Sequence, residues 1–135
     1  MIEFNFETDF SLTDETRYKL WVQQIIASEN KTYGDLCFVF CDDTYLHKLN
    51  LEHLQHDDFT DILTFDYCVG DEINGDIFIS VERLRENALD FSVTFENELL
   101  RVLSHGVLHL CGYKDKSDSE IQMMRLKEEE KLILF

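Results

Sequence analysis

The sequence predicts an α+β fold: a small central sheet of about four strands covered by helices, with a metal site at the end of a helix that carries H-x-x-x-H. Three observations lead there. Apolar runs of strand length, alternating or continuous, recur at 2–6, 36–41, 61–69 and 76–80. Around them lie segments of helical period opened by Ser, Thr or Asp. The chain has 135 residues, 44% hydrophobic and 30% charged, enough for one domain whose core needs no disulfide staples.

Each element has its own signal. Ile2, Phe4 and Phe6 alternate with polar residues, as a half-buried strand does. Ser11 or Thr13 offers a cap for a helix with Leu20, Trp21, Ile25 and Ile26 on its inner face, and Asn30 and Gly34 mark its end. LCFVFC at 36–41 reads as a buried strand. A short helix is expected from Asp42 to His53, capped by Asp42 or Asp43, with Leu46, Leu49 and Leu54 turned inward. After an acidic, His-containing loop, DILTFDYCV at 61–69 and DIFIS at 76–80 form two strands joined by a turn through Gly70 to Gly75. Ser80 caps a helix over Val81 to Leu89, and Thr94 with Asn97 opens another that runs to about Cys111. Ser117 or Asp118 opens the last helix, whose apolar stripe is Ile121, Met124, Leu126, Leu132 and Leu134.

Composition excludes several classes. Twelve Lys and Arg against 28 Asp and Glu give a net charge of −16, so the average field repels polyanions unless a local patch overrides it. Ten acids against one base lie between Asp42 and Asp76, whereas Lys114 to Phe135 holds six acids and five bases. The carboxy-terminal region is therefore the least repulsive approach for a polyanion. No apolar run reaches membrane-spanning length, and the amino terminus lacks the pattern of a signal peptide, so a cytoplasmic protein with no membrane partner is expected. Cys37, Cys41, Cys68 and Cys111 all sit in apolar segments without a C-x-x-C pair, and read as reduced, packed thiols. The eleven Phe read as core rather than as a base-stacking surface. With no proline and only scattered glycines, the chain shows no internal boundary.

The chemistry concentrates in LRVLSHGVLHLCGYKDKSD, residues 100–118. His105 and His109, four apart in a helical segment, project from one face one turn apart. Gly112 can end the helix in a left-handed conformation and return the chain across that face, which brings Asp115 to the two imidazoles. Two imidazoles and a carboxylate leave a fourth tetrahedral position open, the layout of a catalytic zinc site, where zinc brings the pKa of its water to about 7. Asp118 is a second candidate for the third ligand with a poorer register, and His47, His53 and His56 are further ones. Gly106 stands where H-E-x-x-H peptidases carry their general base, which argues against proteolysis. Glu98 lies two turns before His105 on about the same face and reads as an ordinary exposed helix residue, or as a carboxylate orienting a ligand. Arg101 is expected to pair with a nearby acid.

At this point HGVLHLCGYKDK resembles the H-G-x-L-H-L-x-G-Y-D-H signature of the YbeY-type rRNA maturation factors, metal-dependent endoribonucleases of bacteria. TDILTF at 60–65 is similar to that family's T-D-V-L-S-F strand, GDIFIS at 75–80 to its G-D-I-x-I-S, and VERLRENA at 81–88 to the helix that follows. The resemblance implies a hydrolase with one zinc per chain that cuts single-stranded RNA, matures the 3′ end of 16S rRNA and serves ribosome quality control. On this reading residues 1–135 are a single metallo-hydrolase domain, with rRNA or the small ribosomal subunit as partner, ribosome-associated proteins beside it, and no DNA. His105 and His109 match the first two metal-binding histidines. The third falls on Asp115 and the Asp before it on Lys114. The substitution keeps a ligand-capable atom but makes the site one unit less positive. The family's loop arginine, a phosphate clamp, falls on Leu54, which leaves Lys114, Lys116 and Arg101 as the basic groups around the turn. Thr60, Asp61 and Thr64 resemble positions near the cleft. A ribosome-assembly factor with a structural metal is the alternative, and a zinc peptidase a more distant one. Nickel or iron suits the same ligand types.

Overall fold

A computed structural model of the chain describes residues 1–54 and 60–135. Its elements run β1 (Ile2–Phe6), α1 (Glu15–Ser28), β2 (Thr32–Cys41), α2 (Asp43–Leu49), a π-helical turn (Asn50–Leu54), β3 (Ile62–Asp66), β4 (Glu72–Ser80), α3 (Val81–Asp90), α4 (Phe95–Leu110) and α5 (Asp118–Ile133). The four strands form one sheet in the order β1-β2-β4-β3, with β1, β2 and β4 parallel and β3 antiparallel to β4. This is the α+β architecture expected from the sequence.

The sheet's two faces follow from strand alternation. Phe4, Phe38, Phe40, Ile77 and Ile79 point to the face covered by α1 and α4, where they meet Trp21, Ile25, Val102, Leu103 and Val107 in the main core. Phe4 stacks on Phe38 with ring centroids 5.2 Å apart. Each such side chain, fully buried, contributes about 1.5–3 kcal/mol. The opposite face holds a smaller cluster of Cys41, Leu46 and Leu63, with Leu49, Phe65 and Phe78 against it.

Helix α4 carries the H-x-x-x-H motif and lies deepest. It buries ten of its sixteen residues, from Glu98 to Leu110. Such a helix has little freedom to slide, so a side chain on its partly open stripe keeps its place. Its amino end is capped by the Thr94 hydroxyl, which accepts from Asn97 N–H. Its carboxy end is a full Schellman motif: Tyr113 N–H donates to Leu108 C=O and Gly112 N–H to His109 C=O, with Gly112 at φ 109°. The same motif closes α1, with Asn30 at φ 60°.

Several boundaries differ from the sequence reading. Asp14, rather than Ser11 or Thr13, caps α1. Gly34 does not end that helix but lies inside β2, where the pairing with β4 shifts register between Tyr33 and Leu36. Leu20 is exposed, and Tyr18 and Val22 take the inner face with Trp21, Ile25 and Ile26. The largest departure is α5. Ser117 caps it through a capping box with Glu120, as its sequence suggests. Its buried residues, however, are Met124, Glu128 and Lys131, while Ile121, Leu126 and Leu134 are exposed. Two charged groups occupy a core-facing stripe because each meets a partner there, which hydropathy alone does not register.

Candidate metal centre

The α4 helix and its Schellman turn deliver the three expected residues to one point. His105 Nε2 lies 3.0 Å from His109 Nε2, and Asp115 Oδ2 lies 3.2 Å and 3.3 Å from those two nitrogens. Among the described residues, this trio is the group of His, Cys, Asp or Glu close enough to share an ion. Zinc bonded at 2.0–2.1 Å in a tetrahedron holds its ligand atoms about 3.3 Å apart, so the observed triangle fits that ion.

The far side of each ring shows why the Nε2 atoms face inward. His109 Nδ1 donates to the Tyr113 carbonyl at 2.9 Å, and His105 Nδ1 lies 2.6 Å from the Glu128 carboxylate. Both partners are acceptors, which places a donor N–H at Nδ1 and turns each Nε2 toward the shared point. Two imidazole nitrogens and a carboxylate oxygen at these separations can share one cation. The donor set therefore suits a divalent metal. The site is also reachable, with side-chain exposures of 17% for His105, 25% for His109 and 39% for Asp115.

Behind His105 lies a buried charge network. Glu98 is 1% exposed and receives Arg101 through Nε and Nη2, both at 2.8 Å. Arg101 also lies 3.6 Å from Glu128 and 3.7 Å from Asp61. The expected ion pair of Arg101 is present, but three carboxylates enclose it, and hydrogen bonding to Glu98 holds its guanidinium above its ordinary pKa. It is not available as a free phosphate clamp. Burial pushes the Asp61 carboxyl up, with Arg101 opposing. Glu98 is thus no ordinary exposed helix residue: it braces the arginine that flanks Glu128.

Behind His109 lies a second network. The Tyr113 hydroxyl donates to Glu29 at 2.6 Å, and Glu29 receives Lys131 Nζ at 2.7 Å, with the Lys131 side chain fully buried. Burial pushes the Glu29 carboxyl up, but hydrogen bonds from Lys131 and Tyr113 outweigh it and hold the group below the usual carboxylate range. A lowered acid stabilises the fold above its unfolded-state pKa, and that contribution is lost as the pH falls through the folded value. Glu29→Gln is therefore expected to lose about 3 kcal/mol at neutral pH. The difference from wild type should shrink below about pH 4, as read from urea midpoints across pH.

The remaining candidates fall elsewhere. Asp118 is exposed at the first turn of α5, outside the trio. His47 lies on α2, and His53 packs its ring edge-on to Phe65 at 5.9 Å. His56 and the side chain of Leu54 lie outside the described residues. Lys114 and Lys116 are exposed on either side of Asp115. The Thr60 hydroxyl donates to the Ile62 carbonyl at the start of β3, and Thr64 is half-buried on the α4 side of that strand. All four cysteines are free; Cys41 is buried and the other three half-buried. Burial pushes the Cys41 and Cys111 thiols up to about 12, which removes them as nucleophiles at neutral pH. Glu128, which bonds His105, and Glu29, which holds Tyr113 and Lys131, are positions the sequence reading did not single out. The available signal was a carboxylate at Glu128, four residues after Met124, on the stripe where an apolar residue belongs.

Comparison with known proteins bears on the family and the fold. The family profile described as Endoribonuclease YbeY matches residues 3–134. Proteins named Endoribonuclease YbeY from Flavobacterium johnsoniae and Flavobacterium psychrophilum are each 58% identical over 135 residues, spanning this whole chain and 97% and 96% of theirs. One from Karelsulcia muelleri is 43% identical over 129 residues, 96% of this chain and 92% of that protein. The solution structure of TM1509 from Thermotoga maritima superposes with a TM-score of 0.71 at 30% identity, covering 99% of this chain and 88% of the other. No helix among the described residues is long and apolar enough to cross a membrane. A profile match from end to end, relatives of this identity and a shared fold place the chain in one group: it belongs to the Endoribonuclease YbeY family.

Proposed function

We propose that this chain is a single-domain, zinc-dependent endoribonuclease that hydrolyses phosphodiesters of single-stranded rRNA in 3′-end maturation of 16S rRNA and in ribosome quality control in the cytoplasm. The observation that carries the reading is the convergence of His105 Nε2, His109 Nε2 and Asp115 Oδ2 on one solvent-reachable point. Family membership supports endonucleolytic chemistry, and the motif resemblance supports the rRNA substrate. Zinc held at this point would supply Lewis acidity toward a phosphoryl oxygen and a water made acidic near neutrality. The chain's own part is to bind and orient. Glu128 and the Tyr113 carbonyl keep the Nδ1 protons of the two histidines, and so aim Nε2 at the site. Asp115 adds the negative charge that makes the ligand set one unit less positive than three imidazoles. Since Arg101 is enclosed by carboxylates, attraction of the RNA backbone falls to Lys114 and Lys116 on the metal loop.

Two cations on a chain of net charge −16 make a weak hold on free RNA. Naked single-stranded oligonucleotide should be cut slowly, and with two phosphate contacts the rate should fall about sevenfold between about 50 and 200 mM salt. Small ribosomal subunits, or a ribosome-associated protein that supplies basic contacts, should restore the rate. A cleavage assay on oligonucleotide and on subunits across that salt range tests this. Vigorous, salt-insensitive cutting of any RNA overturns the access argument. Metal-loaded protein that binds subunits without turnover would favour an assembly factor with a structural metal.

A further inference from the structure

A surface helix ordinarily buries an apolar stripe, but α5 buries Met124 between an exposed Ile121 and an exposed Leu126, and continues inward with Glu128 and Lys131. Buried charges of this kind cost desolvation that their pairing often fails to recover, so stability alone does not account for their presence. Both charges lead to the ligand histidines. Glu128 reaches His105 Nδ1 directly at 2.6 Å. Lys131 reaches Glu29 at 2.7 Å, Glu29 holds the Tyr113 hydroxyl at 2.6 Å, and the Tyr113 carbonyl receives His109 Nδ1 at 2.9 Å. The capped start of α5 at Ser117 follows Asp115 by two residues, so the docking of this helix also bears on the third ligand.

We propose that α5 is the orienting helix of the metal centre, with Glu128 the positioning residue for His105 and the Lys131–Glu29–Tyr113 clamp the positioning device for His109 and the loop that carries Asp115. This rests on the metal-centre reading above. Neither group touches the reacting atoms. Glu128 fixes which nitrogen of His105 is free and where it points, while Arg101, braced by Glu98, lies beside its other oxygen. The clamp fixes the Tyr113 backbone within a short turn whose remaining residues are exposed or half-buried. Loss of either should loosen the donor triangle without emptying the core.

The test is Co²⁺ and Zn²⁺ affinity by chelator competition on the full chain, with the Co²⁺ visible spectrum and the metal-free urea midpoint measured alongside. Glu128→Gln and Glu128→Asp are expected to lose about 10–100-fold in affinity, as the loss of an outer partner of a metal-bound histidine does. Glu128→Asp keeps the buried charge near Arg101 while withdrawing it from His105, so it also serves if the Gln variant does not fold. The double variant Glu29→Leu/Lys131→Met should keep or raise the metal-free midpoint, because a buried pair is exchanged for packed apolar groups, yet lose about tenfold in affinity and alter the Co²⁺ bands. A purely structural clamp would move the midpoint and leave the affinity of the folded protein alone. Affinity within twofold of wild type in folded Glu128 variants overturns the assignment for His105, and in the double variant the assignment for His109. Wild-type protein that takes up neither ion overturns the metal-centre reading itself.

Discussion

Asp115→Ala is expected to weaken metal binding by more than about 100-fold, beyond what loss of an outer partner costs, and to abolish RNA cleavage with it. The residue supplies the one anionic donor of the trio, at 3.2 Å and 3.3 Å from the two histidine nitrogens. Without it two imidazoles remain, which hold a divalent ion far more weakly than the three-ligand set. The side chain is 39% exposed and sits on a loop, so the substitution should leave global stability within about 0.5 kcal/mol. That separates loss of metal from loss of fold. Asp115→His should retain the ion, since an imidazole nitrogen binds zinc at a comparable distance. Metal content by plasma mass spectrometry, with melting curves and an RNA digest on the same preparations, reads all three. Full metal content in Asp115→Ala would move the third ligand to another residue.

The trio was legible in the sequence because every link in it is local. A four-residue spacing sets two rings on one face, Gly112 ends the helix, and three more residues bring Asp115 back. Helix caps at Ser80, Thr94 and Ser117 were legible for the same reason, each side chain bonding a backbone N–H three residues on. What lay beyond reach depends on partners far along the chain. Glu128 meets His105 across 23 residues and Lys131 meets Glu29 across 102. The spacing of Glu128 from Met124 is a local sign that this member of the run Glu128 to Glu130 turns inward, but it does not name the partner waiting there. Glu98 misled for a related reason. Its burial follows from the arginine three residues later and from the packing of α5 over both, and the sequence displays only the first. Periodicity thus located the helices, while the identity of a buried polar residue was settled by long-range pairing.

Gly106→Glu, which would create the H-E-x-x-H pattern of a zinc peptidase, is expected to cost about 4 kcal/mol or more and to confer no proteolysis. A Cβ at Gly106 would lie 2.8 Å from Ile62 Cδ1 and 3.1 Å from Ile77 Cγ2, in the layer where α4 crosses β3 and β4. Ile77 is fully buried and cannot withdraw, so even the first carbon of a side chain overpacks this layer, at about 1–3 kcal/mol. A glutamate adds a carboxylate aimed at isoleucines, and an unpaired buried charge costs several kcal/mol more. Arg101, one turn back on the same helix, is already committed to Glu98. Against a total stability of about 5–15 kcal/mol for a domain, the sum removes a large share of the reserve and unfolds a protein that lies at the low end of that range. Urea midpoints for wild type, Gly106→Ala and Gly106→Glu check the order. The alanine should fall between them, since about 1 kcal/mol of helix propensity offsets part of its clash. A Gly106→Glu protein as stable as wild type would show that Ile62 and Ile77 can yield, and casein digestion by it would make the glycine a choice of chemistry. The contact distances argue the other way: the residue after His105 is glycine because the helix must lie against the sheet there for His105 and His109 to hold their places.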